Sequence, residues 1–386
     1  MSQDILLILT VSVIIFISTI ISKITRIHIV PIEILLGSFS FSFGLIEENQ
    51  IFKLIAELGF LYLMFMSGLE INLRDLSKIP SKILKLSFVY MFLLYLFAVI
   101  IVLLFSLPKM LMVGFPLISI GLLPILKREH IDKKWLDHAF VIGLVGEILS
   151  IIVLTVVGAT IEFGTSWELY KILSILSFVL FIFYLFYKTV NLILWWFPEV
   201  REYIMPKVDT LDQDIRFSMM VFFAMLSIML YLHLELALGA FAAGIFLATF
   251  FHQKHHELHK KLNYLGFGWL IPIFFIHIGT TFDIKFLLVE NLILMSIFIT
   301  MVMIVIRVLS SLVFHRYYGI KDSIMLGLSH SMPLALLIAV ASLAYEHNYI
   351  TIFYYLSFVL SSILAIPIVM GILKIMNISN KKNKNF

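Results

Sequence analysis

Two charged side chains stand alone inside long apolar runs: Glu147 in FVIGLVGEILSIIVL (140–154) and Arg307 in MVMIVIRVLSSLVF (301–314). An ionised group deep in hydrocarbon is costly, so it faces a bundle interior or an aqueous path and takes a partner. A carboxylate so placed is neutralised by a proton or by a bound cation. A guanidinium stays charged at any relevant pH and acts as a fixed counter-charge. Ser119 in PLISIGLLPILK and His330 in LGLSHSMPLALL add a hydroxyl and an imidazole in similar surroundings.

Counting from the polar end of each run puts these residues at one level. Glu147 is nine residues from His138, Arg307 nine from Arg316, Ser119 eight from Lys127 and His330 eight from Asp322. At 1.5 Å per helical residue that is about 13 Å, near the middle of a bilayer. A structural reading stands beside the chemical one. A Glu–Arg pair can simply tie two helices, and Ser or His in an apolar helix can satisfy itself on backbone.

The elements that must carry these groups follow from composition. The chain has 386 residues, 61% hydrophobic and 13% charged, with a mean hydropathy of +1.06. Soluble domains carry about 25% charged residues, so this is a polytopic membrane protein. Lipid admits only helices or closed barrels, and continuous rather than alternating apolar runs select helices. The absence of cysteine excludes disulfides, thiolate metal sites and thiol chemistry. The first run follows Asp4 without a basic flank or cleavage site and is read as a retained span. Thirteen spans are expected: 4–22, 29–46, 54–71, 83–107, 110–126, 139–161, 169–194, 215–233, 236–251, 264–282, 291–314, 323–345 and 349–373.

Alternate connections are basic, with Lys23 and Arg26, Arg74 to Lys85, Lys127 to Lys134, Arg201 to Arg216, Lys254 to Lys261, and Arg316 with Lys321. The positive-inside rule makes these cytoplasmic, with the N-terminus outside and the C-terminus inside. An internal echo refines the plan. FMSGLEI carries Gly68 and FFIHIGTTFDI carries Gly279, an offset of 211 (279 − 68); Pro124 and Pro333 are offset by 209 (333 − 124). Both offsets pair span n with span n + 7, which reverses orientation. An all-α fold of inverted six-span repeats is expected, at 1–161 and 213–375. Residues 162–212 form a linker helix and cytoplasmic loop, and 376–386 a basic tail. Spans five and twelve, with Pro124 and with Ser329, His330, Ser331 and Pro333, bear the marks of two broken, crossing helices whose freed carbonyls and helix ends serve ions.

Other polar residues read as structural. Glu33, Lys53 and Glu57 lie near span ends or snorkel, and Glu70 and Asp283 cap helix termini. His277 lies nearer the outer end of its span. HQKHHELHKK (252–261) lacks the HExxH spacing of a zinc helix and reads as a solvated cytoplasmic loop, with a pH sensor as the rival.

AELGFLYLMFMSGLEINL (56–73), LALGAFAAGIFLA (236–248) and IPIFFIHIGTTFDI (271–284) resemble the second monovalent cation:proton antiporter family, the Kef/Nap type, across almost the whole chain. The resemblance implies thirteen helices with two crossed broken ones, a homodimer in a bacterial inner membrane, and an ion site at the acid of span six. The family usually has Asp-Asp, Asn-Asp or Gln-Asp there, whereas this chain has Gly146-Glu147. Arg307 stands at the family's basic position of span eleven. Met332-Pro333 replaces a frequent Gly-Glu. A C-terminal nucleotide-binding domain, a resident cofactor and a nucleic-acid partner are not expected.

The implied chemistry is exchange of H⁺ for Na⁺, K⁺ or Li⁺ by competition for Glu147, with Ser119 and unwound carbonyls as further oxygen ligands. With Arg307 unable to shuttle a proton and Gly146 offering no second acid, one-for-one electroneutral exchange is expected. Rivals remain: a channel or organic-anion carrier with Arg307 as the binding charge, a sensor that has lost transport, and an intramembrane enzyme with Ser119 and His330 as its nucleophile and base.

Overall fold

A computed structural model describes residues 3–25, 29–47, 49–69, 80–120, 123, 134–163, single positions between 167 and 199, and 211–232, 234, 236–250, 255–281 and 289–382. Among them there is no strand. In lipid each amide must find its carbonyl within its own segment, and the helix does this. Eight helical segments among the described residues are long and apolar enough to cross a membrane, and three shorter apolar helices accompany them. The difference from thirteen expected spans arises because spans two and nine are the short helices Ile29–Ser42 and Leu236–Phe250, spans five and twelve are interrupted, and 169–194 is described only at single positions. Pro124, Glu70 and Asp283 lie outside the described residues.

The helices are α1 (Gln3–Thr25), α2 (Ile29–Ser42), α3 (Gln50–Leu69), α4 (Ser81–Leu104), α5 (Leu111–Gly114), α6 (Lys134–Phe163), α7 (Gln213–Tyr231), α8 (Leu236–Phe250), α9 (His255–Leu265), α10 (Ile271–Thr280), α11 (Leu292–Ser311), α12 (His315–Ser329), α13 (Leu334–Glu346) and α14 (Ile352–Lys382). A π-turn, Gly266–Leu270, joins α9 to α10. Two compact units form. One combines Met1–Glu47, Ile79–Leu154 and Phe275–Phe386, the other Glu48–Lys78 and Thr155–Phe274, so each draws on both halves of the sequence.

In the first unit α1 buries a single stripe, Val11, Ile14, Ile15 and Ser18, at helical spacing, and exposes apolar residues such as Ile8, Phe16 and Ile24 elsewhere. That pattern fits a helix with one protein face and a lipid surround. α2 crosses the end of α10 where Gly37 and Gly279 meet. A Cβ on Gly37 would strike the Ile276 carbonyl, and one on Gly279 would strike that of Ile34. In the second unit α3 crosses α8 in the same way, with Gly68 against the Phe241 carbonyl and Gly244 against that of Phe65. Small residues let backbones touch where no hydrophobic drive exists between apolar helices in lipid.

Two elements differ from expectation. The stretch from His255 is a helix, continuous through the π-turn with α10, because Leu258 and Leu262, four residues apart, are buried; residues 252–254 lie outside the described set. Tyr62 of α3 donates to the Leu262 carbonyl at 3.0 Å and fixes that helix. The terminal segment, expected as a solvated tail from residue 376, remains helical to Lys382 in α14.

Both interrupted spans belong to the first unit. α5 stops at Gly114 and residues 115–120 are non-helical yet buried throughout. Pro116 lacks an amide proton and its ring excludes the preceding turn. α12 ends at Ser329, the chain is non-helical through His330–Pro333, and α13 restarts at Leu334. Proline before the restart is suited to a helix beginning and unsuited to a helix interior.

Candidate functional site

α6 places Glu147 fully buried, facing the non-helical stretch of span five. Ser119 Oγ donates to its Oε1 at 3.3 Å and the Ile120 amide donates to its Oε2 at 3.2 Å. One turn on, Ser150 Oγ accepts from the Ile118 amide at 3.0 Å and donates to the Gly146 carbonyl at 2.7 Å. The register has a simple origin. Side chains three apart on a helix are neighbours at about 5–6 Å, so Glu147 and Ser150 present one face to the unwound stretch. Ile118 and Ile120 can therefore be served by Ser150 and Glu147. A continuous helix in span five would have spent those amides internally.

Arg307, fully buried on α11, grips the same backbone from another side. Its Nη2 donates to the Leu117 carbonyl and its Nη1 to the Met303 carbonyl, the latter at 2.8 Å. The bond to Leu117 sets the guanidinium in the neighbourhood of Glu147. The two charges hold residues 117 and 119–120 of one short segment between them. Backbone carbonyls offered by an unwound turn are acceptors that a sequence does not display.

His330 caps α12 and is also fully buried. A carbonyl can only accept, so the 2.8 Å contact with the Ala139 carbonyl assigns the proton to Nε2. Nδ1 is then an acceptor, and Tyr90 Oη donates to it at 3.3 Å. His330 consequently bolts α6 to α4 and to the second break. Both of its ring nitrogens are engaged in these contacts. Ser329 and Ser331 donate to the Leu326 and Gly327 carbonyls of their own helix end, at 2.7 and 2.9 Å.

The breaks converge at Gly143 on α6. A Cβ there would lie 2.7 Å from Ile120 Cγ2 and 2.9 Å from His330 Nε2. Gly146 is equally confined, by Met91 Cε at 2.6 Å and Ile118 Cδ1 at 2.8 Å. The position before Glu147, where a companion acid would stand, is thus packed by the side chains of Ile118 and Met91.

Ser150 and Tyr90 escaped the sequence reading. Ser150 stands three residues after the acid, on its face of the helix, which is the signal that could have found it. Glu33, expected near a span end or snorkelling, is 2% exposed on α2. Lys53 and Glu57 do lie exposed, with 4.0 Å between them.

Residues 11–375 match the family of sodium/hydrogen exchanger transmembrane regions. Among curated proteins, the chain is 25% identical over 360 residues to the putative Na⁺/H⁺ antiporter YjbQ of Bacillus subtilis, covering 84% of this chain and 55% of that protein. It is 26% identical over 250 residues to the high-affinity Na⁺/H⁺ antiporter NhaS3 of Synechocystis, covering 62% and 52%. It is also 26% identical over 327 residues to the ammonium/H⁺ antiporter subunit AmhT of Alkalihalophilus pseudofirmus, covering 78% and 77%. The chain spans about half the length of the first two.

Proposed function

The chain belongs to the sodium/hydrogen exchanger family, and from that premise we propose that it exchanges a monovalent cation for a proton, with both ligands competing for Glu147. The observation that carries this is a buried carboxylate facing unwound backbone, with a hydroxyl and an amide already turned toward it. Low dielectric penalises the bare charge, so the core changes access only when Glu147 holds a proton or a cation. A hard cation needs oxygens, which Glu147, the Ser119 hydroxyl and carbonyls of the broken stretches supply. Leu117 and Ile120 contribute least, because their carbonyls already accept from Arg307 and from the Leu123 amide.

Arg307 serves as a fixed positive charge on that backbone and as the girder that keeps it unwound. Because a guanidinium does not shuttle protons and Gly146 offers no second carboxylate, exchange is one-for-one and electroneutral. The Kef/Nap-type subfamily, the homodimer, the bacterial inner membrane and an external N-terminus complete the proposal. Inverted repeats at 1–161 and 213–375 gain support from the paired glycine crossings. Gly37 on Gly279 and Gly244 on Gly68 exchange partners as an offset of about 210 residues requires; Gly37 and Gly244 are 207 apart (244 − 37).

Na⁺, K⁺ and Li⁺ are the candidate cargoes. Ammonium joins them because one relative's name carries it. Everted vesicles with an internal acid gradient test the reading. Cation addition should release the gradient in the wild type and fail to do so in Glu147→Gln, without response to an imposed membrane potential. Wild-type release in the variant would remove Glu147 from the mechanism.

A further inference from the structure

Glu33 is a second carboxyl in the apolar interior and the exchange scheme does not use it. It lies one turn into α2, 2% exposed. Its side-chain partner is Ser18 of α1, whose Oγ is 3.5 Å from Oε1 and 3.0 Å from the Ile15 carbonyl. A hydroxyl has one proton, and the carbonyl, which can only accept, is the nearer claimant. Ser18 therefore turns a lone pair toward Glu33. Contact between the two becomes a hydrogen bond when the carboxyl supplies the proton, giving a relay from Glu33 through Ser18 to the Ile15 carbonyl in which every donor is used once.

The surrounding charges do not favour an anion. α1 carries Asp4 and Lys23 at its two ends, and Lys23 is exposed, five positions beyond Ser18. α2 has no other ionisable residue. α10, which crosses α2 at Gly37, brings the half-buried His277. Arg26 and His28 lie outside the described residues. Among the described residues no cation forms an ion pair with Glu33. Nor does this place suit a metal ion: α2 is unbroken here, so its carbonyls are spent on its own amides, whereas a hard cation requires several oxygens.

We propose that Glu33 is a proton-only site, a neutral carboxylic acid between α1 and α2 that is separate from the transported proton. As pH rises and the proton leaves, a bare carboxylate stands against the stripe Val11, Ile14, Ile15 and Ser18 that holds α1. That charge draws in water or parts the helices, and α1 becomes the element that senses alkalinity. Its effect on transport rests on the exchanger reading; its proton occupancy does not.

Infrared difference spectra of the full-length protein in lipid at neutral pH test the site directly. A protonated-carboxyl C=O band should be present in the wild type and in Glu147→Gln, be absent in Glu33→Gln, and stay unchanged when Na⁺, K⁺ or Li⁺ is added. Ser18→Ala should keep the band and shift it toward the free-acid position. A wild-type spectrum that retains the same band in Glu33→Gln overturns the proposal, as does a Glu33 band that vanishes on cation addition. In vesicles Glu33→Gln should exchange with its alkaline decline moved to higher pH; a superimposable profile overturns the sensing role. Loss of exchange in the wild type itself, with the infrared result intact, would count against the exchanger reading alone.

Discussion

Glu147 and Glu33 are both buried acids in the first unit, 0% and 2% exposed. Glu147 meets a span that has come unwound and receives a hydroxyl and a backbone amide. Glu33 meets an intact helix and receives one distant hydroxyl already committed elsewhere. The side chains are identical; the backbone opposite them is not. An unwound turn exposes donors that steady a carboxylate and acceptors that share a cation, while a closed helix exposes neither. The same residue can then serve as an exchange site in one place and hold a proton alone in the other.

That contrast breaks most severely if Arg307 is removed. Arg307→Ala strips the donors from the buried Leu117 and Met303 carbonyls, and each bond to a charged group is worth about 1.5–3 kcal/mol. Exchange should fall to background and the thermal unfolding midpoint should drop. Arg307→Lys, with a single ammonium in place of a fork, should recover only part of either. An Ala variant with near-normal exchange would mean that the unwound stretch keeps its shape without this clamp.

Crowding the junction should come next. Gly143→Ala pushes a methyl against Ile120 and His330, and overpacking of this kind costs about 1–3 kcal/mol. Weaker cation binding is expected alongside lower stability, because Ile120 carries an amide that serves Glu147. Calorimetric titration together with thermal unfolding would separate the two losses. Reduced stability with unchanged affinity would show that the junction is packing alone.

The smallest change sharpens the comparison most cleanly. Ser119→Ala and Ser18→Ala each delete one neutral hydroxyl beside a buried acid. The first should weaken cation binding about two- to twelvefold, the equivalent of one neutral hydrogen bond of about 0.5–1.5 kcal/mol. The second should leave cation binding where it was. Equal effects would erase the distinction between the sites.

Much of this was legible in the sequence for a physical reason: a charge in hydrocarbon is expensive, so Glu147 and Arg307 stand out against their runs. Pro333 flagged the interruption of span twelve because proline is unsuited to a helix interior. Hydroxyls are cheap in a membrane helix, so Tyr90 raised no signal and Ser150 offered only its spacing from the acid. The acceptor of Arg307 is a carbonyl, which every residue possesses, so nothing in the sequence distinguished Leu117. Glu33 does lie near the start of its span, but its burial depends on which neighbour its helix face meets, and the sequence does not display that. The helix at His255–Leu265 was hidden by its histidines and lysines, although Leu258 and Leu262 already marked its buried side.

Proton release on cation binding reaches the central claim most directly. Purified protein would be titrated with Na⁺, K⁺, Li⁺ or NH₄⁺ in weakly buffered solution while the pH is recorded. Competition at a single carboxylate predicts that wild type and Glu33→Gln give up protons as the cation binds, and that Glu147→Gln gives up none and loses the binding heat. Undiminished proton release from Glu147→Gln would contradict the account.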